Sequence, residues 1–182
     1  MSFDQTTTII ALVFSGGIAI GTISLAYFAL RQIKQIRRDY KIGQSNDILL
    51  WAENVRNWAF TKEDRERLEK KQKTQDIWIE SFLIITSHGN NIMNFMRTGY
   101  ILTKVASGFK KPNLVEKIKA VITHLLTLHR ILGELRGQII FTATQTPSGF
   151  QNKLIELIKQ QGIVNQAAKD VITEVGELIP NL

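Results

Sequence analysis

Residues 9 to 30 read IIALVFSGGIAIGTISLAYFAL, and this apolar stretch decides how the rest of the 182-residue chain is interpreted. Its 22 residues include no charge, no Asn, no Gln and no Pro. As a helix they would reach about 33 Å, slightly more than the roughly 30 Å hydrocarbon core of a bilayer. The stretch also lacks a polar face for solvent, which disfavours a buried helix of a soluble protein. It therefore predicts one transmembrane helix.

A cleaved signal peptide is the other alternative for this stretch. Such peptides carry a basic segment, a shorter apolar run and a cleavage site between small residues. Here the only charged side chain before the stretch is Asp4, and no A-x-A pattern precedes Arg31. The sequence therefore favours an uncleaved signal anchor.

The residues that follow the stretch are basic and set its orientation. One acid, Asp39, lies among five cations: Arg31, Lys34, Arg37, Arg38 and Lys41. The flank of a membrane helix that is richer in Lys and Arg usually faces the cytoplasm. We therefore expect the helix in the plasma (inner) membrane, with residues 1 to 8 on the outer side and residues 43 to 182 on the cytoplasmic side. Residues 31 to 42 are predicted to form a basic helical stalk whose cations contact anionic lipid headgroups.

Small residues on one face of the predicted membrane helix indicate self-association. Gly17 and Gly21 form a G-x-x-x-G pattern, and Ser24 lies on roughly the same face. Such a face lets two membrane helices approach closely. Small residues are also common in membrane helices that do not self-associate, so the pattern leaves a homo-oligomer packed through these three residues as one of two interpretations.

The remaining chain shows apolar residues at every third or fourth position, which is typical of helices and not of strands. Gly43 is predicted to end the stalk helix. Further helices are predicted over residues 45 to 60, 62 to 87 with an allowed break near Thr74, 92 to 106, 114 to 140, 150 to 161 and 164 to 178. Short connections favour antiparallel neighbours, so we expect an all-α domain built as a bundle of five or six helices.

Signs of catalytic chemistry are sparse in this sequence. The chain has no cysteine, which excludes disulfides, thiolate metal sites and cysteine nucleophiles. It also lacks a phosphate-binding loop, a dinucleotide-binding motif, H-E-x-x-H, an EF-hand loop and a G-x-S-x-G elbow. His124 and His129 lie about 140° apart around a helix, too far for both to chelate one metal. Trp51, Trp58 and Trp78 fall on apolar stripes and are expected in the core. No cofactor or metal is expected.

A second group of cations lies in an interval without acids. Between Glu80 and Glu116 the chain has no Asp or Glu, and the interval contains Arg97, Lys104, Lys110 and Lys111. Arg97 and Lys104 are seven residues apart and hence on one helix face. Three interpretations stay open: a solubilising surface, a contact with anionic lipid, and a contact with nucleic acid or an acidic protein. No helix-turn-helix or RNA-binding signature indicates specific reading of nucleic acid.

These features together favour a non-enzymatic, single-pass membrane protein whose helical domain binds an unknown protein partner, or itself, at the cytoplasmic membrane face. One alternative is a small membrane-perturbing effector, phage-borne or toxin-like, that assembles through the membrane helix. Another is a membrane-tethered enzyme whose site is formed by dispersed residues such as Glu80, His124 and Glu134, which no motif reveals.

Overall fold

The computed structural model describes residues 3–69, 75–141 and 149–181, and their side chains at 21–69, 76–139 and 149–181. Within these residues the chain forms α-helices and no strand. The helices are α1 (Phe3–Asn57), α2 (Lys62–Glu69), α3 (Gln75–Ser107), α4 (Pro112–Phe141) and α5 (Phe150–Leu178), followed by a 3₁₀ helix (Ile179–Asn181). The predicted all-α class is confirmed.

Helix α1 continues through Gly43, so the predicted helix end at this glycine is wrong. A glycine inside a helix costs about 1 kcal/mol relative to alanine. The turns that follow bury Ile48 and Val55 completely and Trp51 almost completely. Each such side chain contributes about 1.5–3 kcal/mol on burial, which outweighs the glycine penalty.

The helix breaks predicted near Gly89 and Gly162 are also wrong, because buried residues lie on both sides of each glycine. Helix α3 runs through Gly89 and helix α5 runs through Gly162. On either side of Gly89, Ile85 and Ile92 belong to one buried stripe, and a similar stripe continues past Gly162. Continuous burial keeps these segments helical, since a single glycine costs less than a broken core contact. The allowed break near Thr74 lies outside the described residues.

The chain divides into two compact units, residues 1–43 and residues 44–182. In the first unit, all described side chains from residue 21 to residue 41 are exposed. Its exposed large apolar side chains are Ile23, Leu25, Tyr27, Phe28, Leu30, Ile33, Ile36 and Tyr40. Within the described residues, this unit consists of helix alone.

The predicted transmembrane helix is not supported by the described part of the chain, where no helix combines the length and the apolar character needed to cross a membrane. Residues 9 to 20 of the predicted span lie outside the residues whose side chains are described.

The second unit is an antiparallel helical bundle. Helix α4 packs against both α3 and α5, and the short α2 contacts α3 and α5. The start of α4 meets the end of α5 where Lys117 Nζ lies 2.6 Å from Glu174 Oε2. At the other end of this helix pair, Lys153 Nζ lies 2.6 Å from Glu134 Oε2. The predicted antiparallel arrangement is thus present for these two helices.

Residues 44 to 57 of α1 join the bundle by packing against α3. The indole Nε1 of Trp51 donates a hydrogen bond to the carbonyl oxygen of Phe95 at 3.0 Å. Trp58 is the first residue after α1, and its ring contacts the ring of His88. His88 precedes Phe95 in α3. As residue numbers rise in one helix they fall in the other, so α1 and α3 are antiparallel here.

One apolar core runs through the second unit. It includes Ile48, Trp51 and Val55 of α1, Leu68 of α2, Ile85, Ile92 and Met96 of α3, Leu114, Leu125 and Leu135 of α4, and Phe150, Leu157 and Val171 of α5. Trp78 meets Phe150 edge-on, with ring centroids 5.8 Å apart. The predicted core positions of Trp51 and Trp78 are confirmed, while Trp58 is partly buried.

Candidate functional site

A groove lies between α1 and α3 on the surface of the second unit. Its volume is about 460 Å³. The lining comes from two helices: Asp47, Leu50, Trp51 and Asn54 of α1, and Asn94, Phe95, Thr98 and Leu102 of α3. Trp51 and Leu102 are buried and form the apolar floor, whereas Asp47, Asn54 and Asn94 are exposed. An apolar floor with a polar rim suits a helix or peptide with one apolar face.

Trp51 in the floor of the groove is fixed by two contacts along one edge of its indole. Its Nε1 is bonded to the Phe95 carbonyl, and its Cζ2 edge packs closely on Gly99. Leu50, one residue earlier, keeps 59% of its side chain exposed beside this floor. A partner that covered Leu50 would therefore gain apolar burial without rearranging the floor.

A second cluster joins the α1–α2 connection to α3. The ring of His88 lies 4.0 Å from that of Phe60 and 5.3 Å from that of Trp58, measured between centroids. His88 Nε2 lies 3.3 Å from Asp64 Oδ2. Asp64 also accepts a hydrogen bond from the backbone N–H of Thr61, and its own N–H donates to Thr61 Oγ1. This reciprocal pair is the capping box that begins α2.

Burial favours the neutral form of the His88 ring in this cluster. Burial lowers the pKa of His88 below 6.5, and this outweighs the opposing effect of Asp64. For Asp64, burial raises the pKa, but the hydrogen bonds with Thr61 and His88 together bring it below 3.8. Since the ionised carboxylate only accepts hydrogen bonds, Nε2 of His88 carries the proton. The cluster therefore acts as a clamp between α2 and α3 in its neutral-histidine state.

Gln161 ties α5 to the same region. Its side chain is 3% exposed, and its Nε2 donates to the carbonyl oxygen of Trp58 at 3.1 Å. This bond joins residues 103 positions apart in the chain. Sequence reasoning missed both the Gln161 bond and the His88 cluster. The Thr61–Asp64 spacing was the only local signal, because the other partners come from distant helices.

The residues predicted to contact lipid or to pack membrane helices lie in the first unit. Arg31, Lys34, Arg37, Arg38 and Lys41 are all exposed. Ser24 is exposed, and no heavy atom lies within 4 Å of a β-carbon built on Gly21. Gly17 lies outside the residues whose surroundings are described. A face of α1 with room for a close neighbour is therefore present at Gly21 and Ser24.

The second predicted group of cations is also exposed. Arg97 and Lys104 lie on the outer surface of α3, and Lys110 and Lys111 lie in the connection to α4. Among the described residues, none of the four is in an ion pair. A hollow of about 310 Å³ lies beside this connection, lined by Ser107, Lys110, Lys111, Pro112, Val115 and Glu116.

The dispersed residues considered for an enzyme site do not form a shared buried pocket. Glu80 is exposed and pairs with Arg67, with Arg67 Nη1 3.4 Å from Glu80 Oε2. Glu134 is exposed and pairs with Lys153. The carbonyl oxygen of His124 accepts a hydrogen bond from Gln160 Nε2 at 3.2 Å. Glu80 and Glu134 thus pair with different cations, and the His124 ring has Gln160 as its neighbour, with Gln160 Nε2 3.5 Å from His124 Nδ1.

Comparisons with known proteins give no match to a family model, to a curated protein or to a solved structure.

Proposed function

We propose that the chain is a single-pass membrane protein, anchored by residues 9 to 30, whose bundle mediates protein interaction at the cytoplasmic membrane face. The observation that carries the anchoring is the exposure of closely spaced large apolar residues in the first unit. Ile23, Leu25, Tyr27, Phe28 and Leu30 are each between 59% and 71% exposed. Together with the exposed Ala26 and Ala29, these positions surround the helix, so water would contact apolar side chains on all sides.

A bilayer is the environment that suits such a surface. Residues 9 to 20, which precede it, continue the same uncharged composition. Five exposed cations follow within residues 31 to 41, where anionic headgroups would meet them. Membrane anchoring therefore accounts for both the apolar segment and the basic segment with one arrangement.

Membrane fractionation tests the anchor directly. The wild-type chain should stay in the membrane after carbonate extraction, and so should the control variant Leu126→Lys/Ile155→Lys, which alters two exposed apolar residues of the bundle. The variant Ile20→Lys/Ile23→Lys should be released, because each lysine near the middle of a membrane helix costs about 2.5–3.5 kcal/mol. Release of the wild-type chain by carbonate would contradict the proposal.

The absence of native cysteine allows the orientation to be measured without background. Single variants Ser2→Cys and Ser87→Cys are treated in intact cells with a membrane-impermeant maleimide. We expect labelling at position 2 alone, and labelling at position 87 only after the cells are lysed. Labelling at position 87 in intact cells would place the bundle on the opposite side.

The groove between α1 and α3 supports the interaction part of the proposal. In-cell crosslinking of the full chain is compared for wild type, Leu50→Arg in the groove and Leu126→Arg on α4. The crosslinked species should be lost in Leu50→Arg and retained in Leu126→Arg. Equal crosslinking in all three would exclude the groove. Loss of membrane potential on expression, reversed by Gly17→Ile, would instead favour the membrane-perturbing effector.

A further inference from the structure

We propose that the bundle itself makes a second contact with the membrane, through an exposed face of α3 that binds bilayers containing anionic lipid. This basic α3 face consists of Arg97, Tyr100, Ile101 and Lys104, together with Lys110 and Lys111 of the connection to α4. The inference rests on the proposed membrane anchor, since the anchor holds the bundle close to a bilayer. It adds a second surface for anionic lipid, separate from the cations of residues 31 to 41, and assigns the residues that form it.

The face combines cations with large apolar side chains on one side of one helix. Arg97, Tyr100, Ile101 and Lys104 are spaced by three, one and three residues, which keeps them within a single exposed arc. Tyr100 is 61% exposed and Ile101 is 65% exposed. Their neighbour Leu102 turns into the core. A surface of this type, with an aromatic ring and an aliphatic side chain between cations, suits the boundary of headgroups and acyl chains.

The face carries four cations and no acidic residue of its own, while Glu116 lines the same hollow as Lys110 and Lys111. None of the four cations takes part in an ion pair within the described residues. The first acid to follow in the sequence, Glu116, accepts a hydrogen bond from Lys119 at 2.8 Å. The face is therefore complementary to phosphatidylserine and similar lipids, for which several nearby cations act together.

The face lies at the end of the bundle where the chain enters from the first unit. Helices α1 and α3 are antiparallel, with Trp51 level with Phe95 and Gly99. The same register brings Gln44 level with the last two turns of α3, which contain Lys104. Residues 31 to 43 connect this end covalently to the proposed anchor at residues 9 to 30. A weak contact would suffice at this position, because tethering raises the local concentration of the lipid surface.

The test uses the full chain with one introduced cysteine, Ser107→Cys, which carries an environment-sensitive fluorophore beside the basic α3 face. The protein is reconstituted with phosphatidylcholine vesicles or with vesicles that also contain phosphatidylserine, and quenching by brominated lipid is measured. We expect quenching only when phosphatidylserine is present, with loss at high salt. The variant Arg97→Gln/Lys104→Gln/Lys110→Gln/Lys111→Gln should reduce the docked fraction at least tenfold, because it removes all four cations that would meet the anionic lipid.

A matched control removes the same number of cations elsewhere on the bundle. The variant Lys62→Gln/Arg130→Gln/Lys159→Gln/Lys169→Gln changes one arginine and three lysines, and it should keep the quenching. A second variant, Ile101→Asn, should weaken quenching without changing the net charge. Equal loss in the control and test variants would show that net charge alone, and not this face, is responsible.

The outcomes separate the inference from the proposed anchor. Vesicle flotation of the wild-type chain with phosphatidylcholine alone reports the anchor. Flotation without any phosphatidylserine-dependent quenching would overturn the inference and leave the anchor in place. Failure to float would overturn the anchor, and the quenching with phosphatidylserine would still decide the inference. A third outcome would assign the face to nucleic acid instead. In that case quenching is the same with and without phosphatidylserine, and the wild-type chain binds single-stranded RNA while the variant without the four cations does not.

Discussion

Gly99 packs against the indole of Trp51 so closely that a β-carbon at position 99 would lie 2.8 Å from Cζ2 of Trp51. The same β-carbon would lie 2.9 Å from Cγ1 of Ile122 in α4. Gly99 is therefore the point at which α1 and α4 both approach α3. A larger residue there would separate helices that also frame the groove.

The variant Gly99→Ala should lower the free energy of unfolding by about 1–3 kcal/mol through overpacking. The matched control is Gly133→Ala in α4, where a β-carbon would have no neighbour within 4 Å. That variant should raise stability by about 0.5–1 kcal/mol, since alanine favours the helix. Urea unfolding of the purified full chain measures both. Equal stabilisation by the two substitutions would show that α1 and α3 leave room for a β-carbon at position 99.

Acidification should weaken the clamp around His88. Because the pKa of His88 is below 6.5 in the folded protein, the unfolded chain takes up this proton first as the pH falls. The stability that neutral His88 provides is therefore complete above pH 6.5 and is lost as the pH falls through the folded pKa. Urea unfolding measured from pH 7.5 to pH 5 should show this decrease.

The variant His88→Gln should remove that part of the pH dependence, whereas His124→Gln, which retains His88, should keep it. Protonation of Asp64 should also lower the free energy of unfolding, but in a more acidic range. The pKa of this carboxyl is lowered from 3.8 in the folded protein, so its contribution is lost as the pH falls below that value. The two groups can thus be distinguished by the pH range in which they act. An unchanged slope in His88→Gln would assign the dependence to other residues.

Gln161 should stabilise the connection after α1 through its bond to the carbonyl oxygen of Trp58. The variant Gln161→Met preserves the length of the side chain and removes the donor. We expect a decrease of about 1–3 kcal/mol in the free energy of unfolding, because the Trp58 carbonyl loses its partner. Gln166→Met, on the exposed side of α5, should have a much smaller effect. Higher stability of Gln161→Met would show that burying the amide costs more than its bond contributes.

Lys110 adopts a left-handed backbone conformation, with φ of 56°, in the connection between α3 and α4. A residue with a β-carbon is strained there by about 1–2 kcal/mol. The variant Lys110→Gly should therefore stabilise the folded protein by about 1 kcal/mol in thermal unfolding. Lys111→Gly is the control and should be neutral or destabilising, because that residue has no positive φ. The opposite order would contradict the strain at Lys110.

The helical class and much of the core follow from periodicity alone. The stripe through Leu114, Leu125 and Leu135 predicts α4 and its buried face, and the structure confirms both. Periodicity reports which face is apolar, whatever the partner helix is. The same signal did not predict how far helices continue across Gly43, Gly89 and Gly162, because that depends on the burial of both flanks in the assembled bundle.

The candidate sites were less accessible to sequence reasoning. The groove requires Trp51 and Phe95 to meet, and the clamp requires His88 to meet Asp64, across 44 and 24 residues respectively. A single sequence carries no signal for such pairs when no motif links them. The exposed cations were found because charge is a property of each residue alone. Their arrangement around Tyr100 and Ile101 became apparent only when the solvent-facing side of α3 was known.

The bond between Gln161 and Trp58 also bears on how the protein is synthesised. A ribosome delivers residues 44 to 58 long before α5, so the apolar residues of this segment leave the exit tunnel without their final neighbours. The bundle can close around Trp58 only when the last fifth of the chain has been translated. During that interval Ile48, Trp51 and Val55 are available to chaperones and to other nascent chains. Slow translation of α5, or its truncation, would therefore show itself first as aggregation of the N-terminal half.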